Sequence, residues 1–154
     1  MPSGAAALDA TLTAAGLSGE VVDIPNLGPV VRVQMTHVVA ALEALRDADD
    51  TAFAMLVDLM GVDTGEEIEL TYHLRSFLHE SEAYVRIAVP YDGEIHSVWR
   101  CYPAALYPER EAAELFGLTF VGHPNPKRLL TTDEVEVPLL RKSVQIRSVE
   151  EARR

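Results

Sequence analysis

The stretch from Glu109 to Leu130, EREAAELFGLTFVGHPNPKRLL, holds the side chains best placed to do chemistry. Glu109, Glu111 and Glu114 fall within two helical turns, and neighbouring carboxylates can divide proton donation and acceptance when burial separates their pKa values. A plainer reading fits the punctuation better. Acids near the start of a helix are favoured by its dipole. Arg110 and Glu114, four apart, are expected to pair on the exposed side. Arg110 or Glu111 is expected to bond to loop backbone, or to a partner chain, and so lock the turn that follows.

His123, with His73, His79 or His96, could be asked to hold a metal. No pair of these has the short spacing of a helical or hairpin metal site. His73 falls on the polar face of an alternating strand, where it is expected to be solvated. His123-Pro124 is expected to fix a tight turn by hydrogen bonding. Lys127, Arg128, Arg141 and Lys142 could meet an anionic ligand or lipid; ion pairing at a protein interface is the favoured reading. The single cysteine, Cys101, excludes a disulfide framework or an iron–sulfur site built from this chain alone, and is expected to be a small buried apolar residue. Trp99, Tyr102 and Tyr107 suit an interface or a core equally.

Several elements must position these groups. An Ala-rich helix over residues 5–15 ends at Gly16. Val21–Ile24 and Val30–Val33 form a hairpin across Pro25–Pro29. Thr36 is a candidate N-cap for a helix over 37–46, in which Val38, Ala41, Leu42 and Leu45 share one face. The apolar run Phe53–Val62 could be a buried strand or helix by periodicity alone; its flanks favour a strand ending at Gly61. Ile68, Leu70, Tyr72 and Leu74 alternate with polar residues, and Ala83, Val85, Ile87 and Val89 do the same. These two strands are expected to pair antiparallel across 76–82, each with one wet face. Pro90–Gly93 turns the chain into a last short strand near Ile95–Arg100. Pro108 suits the first position of the next helix, and Gly117 its left-handed C-cap. Ala112, Leu115 and Phe116 are the stripe laid on the sheet. Pro124, Pro126 and Pro138 oppose further helix. The fold class expected is α+β: a mainly antiparallel sheet with helices on one face and an extended C-terminal tail. Residues 1–130 form one domain, and 131–154 a partner-binding tail.

The spacing Glu109-Arg110-Glu111, Glu114, Leu115-Phe116, His123, Lys127 and Leu129-Leu130 resembles the signature of the 30-kDa subunit of proton-pumping NADH:quinone oxidoreductase, respiratory complex I. Val62-Asp63, Tyr72-His73-Leu74, Ser97-Val98 and Pro138-Leu139-Leu140-Arg141-Lys142 are softer matches, so the likeness runs over about residues 53–143. The resemblance implies a hydrophilic scaffold subunit of the peripheral arm, on the cytoplasmic side of the cell membrane, with no catalytic residue and no cofactor or metal of its own. It implies partners in the quinone-module large subunit (49-kDa or hydrogenase-like) and the iron–sulfur subunit. Quinone, iron–sulfur clusters and NADH or FMN would belong to other chains. The chain is short for the complex I form, and His96 stands where the family often has proline. Both point also toward a membrane-bound hydrogenase or another non-NADH relative.

Composition agrees with a globular chain: 154 residues, 48% hydrophobic and 24% charged. No apolar run reaches the roughly 20 residues that span a bilayer, and the N-terminus lacks a signal-peptide pattern, so a soluble cytoplasmic chain is expected. The net charge of −11 opposes non-specific nucleic-acid binding. Residues 1–70 carry 12 acids against Arg32 and Arg46, whereas residues 71–154 carry 12 against 11 bases. A repelling front half and a docking rear half would explain this split, as would a surface kept soluble by excess acid.

Overall fold

A computed structural model describes residues 4–145. The chain runs α1 (Gly4–Ala14), β1 (Glu20–Ile24), β2 (Gly28–Arg32), α2 (Val38–Asp47), β3 (Met55–Asp63), β4 (Ile68–Ser76), β5 (Ser81–Val89), β6 (Glu94–His96), α3 (Leu106–Phe116) and β7 (Thr119–Val121). Five strands form one sheet in the order β1-β2-β5-β4-β3, and β6 and β7 form a second, two-stranded sheet. The large sheet is antiparallel except where β2 runs parallel to β5, so the fold is α+β with a mainly antiparallel sheet.

The alternation read in the sequence sets the layers. Ile68, Leu70, Tyr72 and Leu74 of β4 are fully buried, as are Ala83, Val85, Ile87 and Val89 of β5. They share a core with Leu8 and Leu12 of α1, Leu42 and Leu45 of α2, and Ala112 and Phe116 of α3. The opposite face stays wet and charged. Glu69 bonds Arg32 at 2.7 Å, and Arg75 bonds Glu82 at 2.6 Å. His73 is not solvated as its wet-face position suggests. It stacks on Tyr84 with ring centroids 4.5 Å apart, and its Nε2 lies 3.1 Å from Glu82. A flat ring beside a flat ring covers itself on an otherwise open face.

Helix α3 reaches the sheet through a glycine. A Cβ added at Gly61 of β3 would overlap the Phe116 ring, so only glycine lets the ring seat here. Three boundaries differ from the sequence reading. Thr36 makes no cap: α2 is entered through a 3₁₀ turn, Met35–His37, whose main chain closes on Gln34. Helix α3 starts at Leu106, after a 3₁₀ turn over Pro103–Ala105. Pro108 is its third residue, still in the first turn where no N–H needs a partner. The strand expected over Ile95–Arg100 is only Glu94–His96, because the Val98 N–H is taken by a carboxylate of α3 and the chain turns.

The described part of the expected tail, 131–145, holds turns with neither helix nor strand. It lies back on α3, where the Leu140 N–H donates to the Leu115 carbonyl at 2.9 Å. The remainder of the expected tail, 146–154, lies outside the described residues.

Candidate functional site

Helix α3 and the segment after it form a cap in which side chains bond main chain. Glu109 lies on the same stripe as Ala105, Ala112 and Phe116, and is completely buried. Its Oε1 accepts the Val98 N–H at 2.7 Å, and its Oε2 accepts the Ser97 hydroxyl. His123 approaches the same carboxylate at 3.9 Å. Burial pushes the Glu109 carboxyl up, against the opposing pull of Ser97, Val98 and His123. The Tyr72 hydroxyl, wholly buried, has no hydrogen-bond partner among the described residues. Burial, with a smaller push from Glu109, raises its pKa as well.

His123 does fix a turn. Its Nδ1 accepts the Asn125 N–H at 3.0 Å, which leaves Nε2–H to donate to the Leu106 carbonyl at 2.8 Å. Pro124, between them, is exposed. One imidazole thus ties the loop to the first turn of α3. Because Nε2 is spent on a carbonyl, this ring is placed as a brace.

Arg110 and Glu114 do not pair with each other. Arg110 donates to the Lys127 and Arg128 carbonyls, each at 2.7 Å. Glu114 accepts three consecutive N–H groups, from Leu129 at 2.7 Å, Leu130 at 3.1 Å and Thr131 at 2.5 Å. Turn backbone with orphan donors and acceptors outcompetes a solvent-exposed pair, which is worth little. Burial alone would raise the Glu114 carboxyl, but the Thr131 side chain and the three amides outweigh it and hold it at about 2. The expectation that Arg110 locks the following turn through loop backbone is met.

Gly117 ends α3 in the left-handed region, with φ 70° and ψ 45°. Arg141 closes over it, donating to the Phe116 carbonyl at 2.7 Å, the Gly117 carbonyl at 3.2 Å and Asp92 at 2.9 Å. A Cβ on Gly117 would stand 2.9 Å from that guanidinium. Arg128 bonds the Thr131 hydroxyl at 2.9 Å. Of the residues singled out in the sequence, Glu111, Lys127 and Lys142 point outward, although the Lys142 N–H bonds Asp63 at 2.7 Å. Tyr107 is exposed beside Arg110, Trp99 bonds the Gly122 carbonyl, and Tyr102 is core, its hydroxyl on the Phe53 carbonyl. Cys101 is buried as expected, its thiol pushed up to about 11 by that burial.

Sequence reasoning missed Glu109 as a buried anchor, although its four-residue step from Ala105 and seven-residue reach to Phe116 place it on the apolar stripe. It also missed Asp63 and Ser97. Among the described residues no three histidine, cysteine or acidic side chains stand together as a metal-holding group.

The family model described as respiratory-chain NADH dehydrogenase, 30 Kd subunit, matches residues 31–150. An NADH-quinone oxidoreductase subunit from Caulobacter sp. (strain K31) is 38% identical over 108 residues, 68% of this chain and 48% of that protein. The like-named protein of Methylorubrum populi is 35% identical over 124 residues, 79% of this chain and 57% of the relative. That of Roseiflexus sp. (strain RS-1) is 35% identical over 126 residues, 79% and 72% respectively. The chain thus spans about half the length of the first two relatives. A chain in the structure of the membrane-bound sulfane sulfur reductase, an archaeal respiratory membrane complex, superposes with a TM-score of 0.64 at 27% identity. The match covers 74% of this chain and 68% of that one.

Proposed function

This chain belongs to the respiratory-chain NADH dehydrogenase 30 Kd subunit family, and from that premise we propose that it is a hydrophilic peripheral-arm subunit of a complex I-like oxidoreductase. In this role it supports the quinone and iron–sulfur module as a scaffold and carries no redox centre of its own. Its partners are the quinone-module large subunit and the iron–sulfur subunit, at the cytoplasmic face of the membrane. No helix among the described residues is long and apolar enough to cross a membrane, so on this reading it is held there by those partners.

One observation carries the scaffold role. The polar groups of the cap, Glu109, Arg110, Glu114, His123 and Arg141, are each spent on the chain's own hydroxyls, carbonyls and amides. Groups so committed build a rigid surface, their orientation set by the chain's own backbone. What faces outward beside them is Glu111, Lys127 and Lys142, the kind of rim charge that steers docking.

Reversing both outward lysines, Lys127→Glu with Lys142→Glu, tests this. The isolated variant should keep its melting curve, whereas its share of the purified membrane complex should fall. Unchanged stoichiometry in the complex would overturn the role assigned to this rim, and turnover by the purified chain alone would overturn the scaffold reading. The likeness to the sulfane sulfur reductase chain favours a second reading, the equivalent subunit of a non-NADH complex or membrane-bound hydrogenase. Quinone or acceptor reduction by membranes supplied with NADH, with reduced ferredoxin or with hydrogen separates the two.

A further inference from the structure

Strand β3 forms one edge of the large sheet and has β4 as its single sheet neighbour among the described residues. It is nine residues long, and Met55, Val57, Met60 and Val62 are 41%, 41%, 41% and 59% exposed. A long edge with unpaired main chain and bare apolar side chains is a template for another strand, and proteins usually blunt such edges. The blunting here lies in the first part of the strand and at its last residue, Asp63, whose carboxylate holds the Lys142 N–H of the tail at 2.7 Å. The register shifts between Leu56 and Asp58, and the Leu59 N–H is taken by the Asp58 carboxylate at 2.8 Å. Among the described residues nothing comparable guards Met60–Val62.

Charge indicates the occupant. From Asp47 to Leu74 the chain carries eight carboxylates and neither lysine nor arginine. Asp49, Asp50, Asp58 and Glu66 are exposed before, within and after the strand. A second copy paired antiparallel about the strand centre, Leu59, would set the two Asp58 side chains diagonally across from each other between molecules of net charge −11. Like charges disfavour that pairing.

The geometry points to β3 as a strand-addition site for a short, extended, basic segment of another protein. That segment would pair its main chain along Met60–Val62, lay apolar side chains over Met60 and Val62, and present lysine or arginine near Asp58. The inference rests on the subunit reading above and names the surface by which such a subunit is gripped.

Hydrogen exchange on the full chain, alone and within the purified membrane complex, tests it. Exchange of the β3 edge amides should slow at least about tenfold in the complex. Asp58→Lys, an exposed change, should leave the free chain folded and lower its incorporation by about tenfold. If the wild-type chain fails to co-purify with any complex, this inference and the subunit reading both fall. If it co-purifies while β3 exchanges as in the free chain, or if Asp58→Lys incorporates normally, the edge assignment alone is overturned. Protection of β3 that appears in the free chain as its concentration rises would assign the edge to a second copy and overturn the basic partner.

Discussion

In the large sheet, alternate side chains of β4 and β5 vanish into the core and the main chain is met by neighbouring strands. In the cap, much of the polar main chain between Phe116 and Thr131 is met instead by Arg110, Glu114, His123 and Arg141. The sheet is held by area removed from water, which tolerates approximate shapes. The cap is held by directional, partly charge-assisted bonds, which do not. The contrast repeats within one helix. Glu109 and Glu114 lie on α3, yet burial raises the first carboxyl while hydrogen bonds hold the second at about 2.

The largest break should come from the sheet side. Leu70→Ala removes a fully buried side chain and is expected to cost about 2–5 kcal/mol by chemical denaturation, lowering the whole molecule in one transition. Gly61→Ala drives a methyl into the Phe116 ring and should cost about 1–3 kcal/mol by overpacking where sheet and cap meet. An equal melting curve for the alanine variant would mean α3 shifts freely on β3. Glu114→Gln should cost about 1–3 kcal/mol at neutral pH, and exchange should quicken mainly at 129–131. If amides of β4 quicken equally, cap and sheet are one unit and the contrast fails.

The two carboxylates also separate by pH. Glu109 has a raised folded pKa, so the native state binds more protons above the ordinary carboxylate range and stability attributable to it declines as pH rises. Glu114 has a lowered one, so its contribution is complete above about 4.5 and is lost as pH falls toward 2. Relative to wild type, Glu109→Gln should therefore gain ground as pH rises, and Glu114→Gln should gain ground as it falls below 4.5. Parallel stability curves for the two variants would erase the distinction. The smallest effect carries the opposite sign. Tyr72→Phe removes a buried hydroxyl without a partner among the described residues and should be neutral or stabilising by about 1 kcal/mol.

The same difference explains what could be read in advance. Period-two burial in 68–74 and 83–89 announced the sheet, and Gly117 announced its C-cap, because both are local consequences of residue type. The parallel contact of β2 with β5 was not legible, since no local pattern records which edge a hairpin joins. Nor was the short β7, three residues with only Phe120 buried. Arg110 and Glu114 misled because four-residue spacing suggests a pair, while their true partners lie 15–18 positions downstream. In both cases a side chain reached for main chain that a sequence pattern does not display.

Asp63 ties two remote stretches to its own turn: it accepts the neighbouring Gly65 N–H, the Tyr91 hydroxyl at 2.6 Å and the Lys142 N–H. The Tyr91 hydroxyl, followed by the Lys142 amide, holds its carboxyl below the usual range. This clasp makes the C-terminal strap mechanically continuous with the end of β3. Acid strong enough to neutralise Asp63 would loosen this tie to the sheet rim first, while Leu140 and Arg141 still hold the strap to the end of α3.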